Sequence, residues 1–134
     1  MKPYRKKGFT LVEIIVVLVI LAILAAAAIP TMLGFVEDAR GKSEIANARA
    51  AYVAAQTIAT EKFAVTKGTD EERDTAAENA VTVARVSQLT GISAEEIAAI
   101  TPTISGGKVT ELIYETEDYT VTIVVGGDAL IVKK

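Results

Sequence analysis

Hydrophobic positions follow three successive patterns along the chain. From Phe9 to Ile29 they are nearly unbroken, interrupted only by Thr10 and Glu13. Between Ala39 and Phe63 they thin to Ile45, Ala48, Tyr52, Ala55, Ala59 and Phe63, the i, i+3, i+4 spacing of a one-sided helix. In the last third, Tyr119, Val121, Ile123 and Val125 alternate with Thr120, Thr122 and Val124, the period of a strand with one buried face. The pattern therefore predicts a membrane-length helix, an amphipathic helix running to about residue 64, and strands over about 108–133.

Punctuation refines this outline. Pro30 lacks an amide hydrogen and its ring crowds the preceding turn, so a kink or local break is expected near 26–30, with Gly34 and Gly41 as further soft points. Lys67-Gly68-Thr69-Asp70 breaks the amphipathic helix, and Asp70 is placed to cap a second one through about Gln88. Glu71, Glu72 and Asp74 then lie near its positive end, which accounts for their density more simply than a calcium loop does. Gly91 ends that helix, and Ser93-Ala94-Glu95-Glu96 has the form of a capping box for a short third one stopping before Pro102. Lys108 to Glu115 supplies a strand, and Gly126-Gly127-Asp128 turns the next one back on Ala129 to Lys133. The expected fold is α+β: a long N-terminal helix, half transmembrane and half amphipathic, packed on a small antiparallel sheet of about three strands, with one or two short extra helices at about 70–100.

Composition removes whole classes of chemistry. The 134 residues include no Cys and no His, so disulfides, thiol chemistry, the commonest general base and the commonest transition-metal ligand are all missing. No enzyme and no cofactor are expected. Net charge is -3, but four of the 14 basic residues, Lys2, Arg5, Lys6 and Lys7, precede the apolar run. From Phe9 onward 10 basic residues face 17 acidic ones, a balance that argues against nucleic-acid binding. Glu115, Glu117, Asp118 and Asp128 gather around strand ends. Solvated turn carboxylates explain them better than a metal site does.

The 21 residues from Phe9 to Ile29 make a helix about 31 Å long, close to the hydrocarbon thickness of a bilayer. Basic residues flank only its N-terminal end, so the positive-inside bias leaves residues 1–8 in the cytoplasm and sends the remainder outward. A cleavable secretory signal has the same order of regions, with Ala26 and Ala28 spaced like a cleavage site. Against it stand an apolar stretch longer than the usual 7 to 15 residues and a carboxylate in its first third. A charge at the centre of such a helix costs roughly 2.5 to 3.5 kcal/mol, less toward the end, so Glu13 needs a reason and a partner. No cation lies within the span. Cleavage after Gly8 would leave Phe9 with an α-amino group one turn before Glu13, at i, i+4 spacing, and the same amine on a neighbouring copy could reach that carboxylate too.

The string Lys7-Gly8-Phe9-Thr10-Leu11-Val12-Glu13, followed by an apolar run ending at Pro30, resembles the N-terminal signature of type IV prepilins and of secretion and competence pseudopilins. The resemblance implies a leader of residues 1–8, a filament-core helix over 9–30 and an extracytoplasmic domain over 31–134. It implies cleavage between Gly8 and Phe9 by a membrane peptidase that also N-methylates Phe9. It gives Glu13 the role of neutralising a neighbouring subunit's amine during assembly, and places the helix kink at Pro30, to which Gly34 adds a kink position by its own softness. The implied partners are copies of the chain and related pilins, the prepilin peptidase, an inner-membrane platform protein and an assembly ATPase. The implied location is the bacterial cytoplasmic membrane, single-pass with the N-terminus inside, and then a surface filament.

Two function classes remain after this reading. One is a structural subunit of a pilus or pseudopilus, assembled through its hydrophobic helix. The other is a small secreted or membrane-anchored binding protein with an ordinary signal sequence, which would show a ligand cleft or aromatic patch in the last hundred residues.

Overall fold

A computed structural model describes residues 8–134; the basic leader residues 1–7, including Lys2, Arg5, Lys6 and Lys7, lie outside the described residues. Among the described residues three helices, α1 (Leu11–Val65), α2 (Asp70–Ala80) and α3 (Val83–Thr90), precede four strands, β1 (Ala99–Ser105), β2 (Lys108–Glu115), β3 (Tyr119–Val124) and β4 (Leu130–Lys133). The chain divides into two compact units, residues 1–39 and 40–134, and α1 contributes to both.

In the first unit the structure is helix from Leu11 onward, with every described side chain exposed. Pro30 does not interrupt it: helical structure continues on both sides, and the Thr31 hydroxyl donates to the Ala28 carbonyl at 2.8 Å. The local break expected near 26–30 is therefore absent as a gap in helical structure. Residues two before and one after the proline keep a polar bond that its ring does not obstruct. A Cβ on Gly34 would meet nothing within 4 Å, so no close contact in the described chain requires glycine there.

In the second unit the four strands form one antiparallel meander in the order β1-β2-β3-β4. The sheet has one strand more than the sequence reading allowed. The additional strand is β1, which occupies the place of the expected third helix: residues 94–96 form only a turn, and extended structure begins at Ala99. Pro102 is compatible with it because β1 is an edge strand, where a missing ladder donor is tolerated. The helix expected over 70–88 is likewise two helices, separated at Val81 and Thr82 because the Thr82 side chain accepts from Arg85 N and starts α3 afresh. Thr69, not Asp70, is the N-cap of α2, and with Glu72 it forms a reciprocal capping box. Gly91 ends α3 at φ 77, a left-handed cap that L side chains rarely adopt.

The core lies between the amphipathic part of α1 and the inner sheet face. Small residues on α1, Ala48, Ala51, Ala55 and Ala59, are fully buried together with Ile58, while Ile45, Tyr52 and Phe63 are half-buried at the margins. Opposite them, Val109, Leu112, Tyr114 and Val121 are fully buried. Each of the larger side chains stabilises the fold by about 1.5–3 kcal/mol through burial. Polar contacts fix the register. Tyr52 Oη donates to the Val109 carbonyl at 2.9 Å, and Gln56 both donates to Gly107 O and accepts from Val109 N, at 3.1 and 2.9 Å. From α2, Asp74 accepts from the amides of Gly106 and Gly107 at 2.9 and 2.8 Å, and Glu78 accepts from Ile104 N at 3.0 Å. Two acidic residues of that helix thus hold the β1–β2 hairpin.

Candidate functional site

Thr10 and Glu13 build the N-terminal site. Helix α1 starts at Leu11, so Thr10 stands immediately before it and Glu13 is its third residue. Every helix begins with amides that lack an intrahelical acceptor, and in a nonpolar surrounding each such orphan is expensive. Here they are met reciprocally. The Thr10 amide and hydroxyl donate to Glu13 Oε2 at 2.8 and 3.0 Å, and the Glu13 amide donates to Thr10 Oγ1 at 3.2 Å. This is a capping box of the T-x-x-E form. It gives the carboxylate inside an apolar run an immediate structural task, in addition to its negative charge near the positive helix end.

Thr10 was the residue that sequence reasoning passed over. Its signal was present as Thr-x-x-Glu directly before an apolar run. Of the other sequence-predicted residues, Gly8 and Phe9 lie just ahead of the cap in non-helical backbone, and Phe9 is exposed. A Cβ on Gly8 would meet no described atom within 4 Å. Pro30 and Gly34 lie further along the same helix, separate from the cap. The site therefore gathers Gly8, Phe9, Thr10 and Glu13 within six consecutive residues, with the exposed apolar helix behind them.

That helix is long and apolar enough to cross a membrane, and none of its most apolar stretch is buried by the chain. Leu11 is 76% exposed, Ile23 65% and Phe35 74%. The strand-end carboxylates read from the sequence do not gather around one centre. Glu115 pairs with Lys134 Nζ at 2.9 Å, and among the described residues no group of three or more acidic side chains is placed to hold a metal ion.

An apolar helix capped at its start, and long and apolar enough to cross a membrane, is preceded in the sequence by a basic segment and followed by an α+β domain. Comparison with known families adds the specific signature: the prokaryotic N-terminal methylation motif matches residues 3–29, which is the signature of type IV pilins and pseudopilins. The motif supports a pilin-like or pseudopilin precursor and points to a structural protein. No curated protein and no solved structure matches the chain.

Proposed function

We infer that the chain is the precursor of a subunit of a type IV pilus or pseudopilus. The observation that carries this reading is the joining of the methylation motif at residues 3–29 to a helix whose apolar side chains no part of the chain covers. Leaving some fifteen large aliphatic side chains in water would cost on the order of tens of kcal/mol, so they must lie in a bilayer or against other copies. A pilin-type subunit uses both surroundings in turn.

On this reading a prepilin peptidase cuts between Gly8 and Phe9 and methylates the Phe9 amine. The open space around Gly8 fits such handling: glycine there answers to no contact among the described residues, while an enzyme closing on the backbone gains from the missing side chain. The leader stays on the cytoplasmic side, the 9–29 segment anchors the chain, and residues 31–134 are extracytoplasmic. A platform protein and an assembly ATPase then move the subunit into a filament of identical and related copies.

The cap explains how Glu13 serves two tasks. Both Thr10 bonds fall on Oε2. Oε1 therefore remains to accept from the Phe9 amine of the same or a neighbouring copy, a charge-assisted bond in a nonpolar setting. The test is co-expression of Glu13→Gln with wild-type chain. Gln preserves the cap's acceptor and removes the charge, so the variant is expected to insert and to be cleaved normally, yet to be depleted at least tenfold from sheared filaments. Incorporation at the wild-type level would remove charge pairing from the account.

A further inference from the structure

Strand β4 differs from every other element: among the described residues it is the one helix or strand without a buried residue. Leu130 and Val132 are 68% and 62% exposed. Only Ile131 reaches the core, half-buried beside α1, where a Cβ on Gly41 would stand 3.7 Å from its Cδ1. The strand forms one edge of the sheet and pairs with β3 alone, from Tyr119↔Lys133 to Thr122↔Leu130. Few buried contacts and a single short ladder place such a strand at the low end of local stability within a fold.

Lys134, directly after the strand, fastens its far end. The Lys134 amide donates to the Asp118 carbonyl at 2.8 Å, and its ammonium donates to Glu115 Oε2 at 2.9 Å and to the Thr116 carbonyl at 3.0 Å. One residue thus closes on three residues at the β2–β3 turn. That turn is a firm anchor, because the buried Thr116 donates its amide to the Tyr119 carbonyl at 2.9 Å and accepts from Tyr119 N at 3.2 Å. The charged arm of the fastening is more open to water: the side chains of Lys134 and Glu115 are 41% and 37% exposed. An ion pair so placed weakens as dissolved salt screens it, whereas the bonds between backbone groups do not.

We propose that β4 is a strap that opens and closes as a unit while the rest of the domain stays folded, and that Lys134 is the latch that makes its opening respond to ionic strength. Opening breaks the Lys134 bonds together with the β3–β4 ladder. It leaves the β1–β2–β3 pairing and the buried Val109, Leu112 and Tyr114 in place, because those belong to other strands. The open form bares the outer edge of β3, a row of unpaired backbone donors and acceptors, and uncovers α1 at Gly41. The proposal does not depend on filament assembly, since every group it uses lies within residues 40–134.

The test is amide hydrogen exchange of the full chain in detergent micelles, read residue by residue by NMR. The two-residue period of a strand turns the amides of Leu130 and Val132 toward β3 together with that of Lys134, so these three report the strap. At about 0.05 M sodium chloride they are expected to exchange roughly tenfold faster or more than amides paired between β2 and β3. Raising the salt to about 1 M should speed them about threefold relative to that ladder. Lys134→Met should speed the Leu130 and Val132 amides about fivefold at low salt and remove most of the salt response. Glu115→Gln, which leaves both carbonyl acceptors of the latch in place, should remove the salt response with a smaller rise. Glu111→Gln, which takes an equal charge from the same strand away from the latch, should change neither. The proposal is overturned by β4 amides that exchange at the rate of the β2–β3 ladder, by a salt response that Lys134→Met leaves intact, or by one that Glu111→Gln alters as much as Glu115→Gln does.

Discussion

Glu44 is where one side chain bears most visibly on behaviour. Its carboxyl lies above the ordinary carboxylate value of 4.5, chiefly through burial, with Glu96 and Asp118 facing it from the loop before β1 and the β2–β3 turn. A raised value means that the folded state holds the proton more firmly than the unfolded chain does. The stabilisation is therefore full below pH 4.5 and is lost as pH rises through the higher folded value. At neutral pH the ionised group opposes folding. Glu44→Gln is accordingly expected to raise the thermal midpoint at pH 7, by an amount that shrinks as pH falls toward 4.5. Thermal scans of both proteins across that range check it, and a constant difference would mean that titration of Glu44 does not contribute. At the same scale, Glu13 shows what a sequence alone can conceal. Its oddity inside an apolar run was legible, and charge pairing was the reason offered. The local structure, a cap completed with Thr10 three residues away, engages backbone donors that no pattern of charges displays.

Among the elements, the strands show what alternation can and cannot reveal. Strands β2 and β3 were legible because inward Leu112, Tyr114, Val121 and Ile123 alternate with polar or outward neighbours, and glycine turns mark the last reversal. Strand β1 was not, for two reasons: Pro102 lies within it, and Ser93-Ala94-Glu95-Glu96 mimics a helix start. What decides in favour of a strand is pairing with β2 from Ala99↔Glu115 to Ser105↔Lys108, a nonlocal gain that no local pattern displays. The single long helix was legible, and of the kink or local break expected near 26–30 the break is absent, helical structure persisting through Pro30. The β1–β2 hairpin also exposes a dependence on backbone conformation. Gly107 has φ 74, and a Cβ there would fall 2.8 Å from the Phe63 ring, while its amide and carbonyl serve Asp74 and Gln56. Gly107→Ala should therefore destabilise the domain by about 1–3 kcal/mol through strain and overpacking. Denaturant unfolding measures this, and a change below about 0.5 kcal/mol would show that the hairpin moves freely away from α1.

At the scale of the molecule, two units with opposite surface character share one chain. The first is an exposed apolar helix with its capped N-terminus, and the second is an acidic α+β domain with its own core. The first contains a stretch long and apolar enough to cross a membrane, and it carries the methylation motif. The central claim concerns the first unit, and it is tested most directly by the intact mass and N-terminal residue of the protein recovered from its native membrane. The account predicts a chain beginning with N-methylated Phe9. A chain beginning at Ile29 or nearby would contradict it and make the apolar segment a discarded signal.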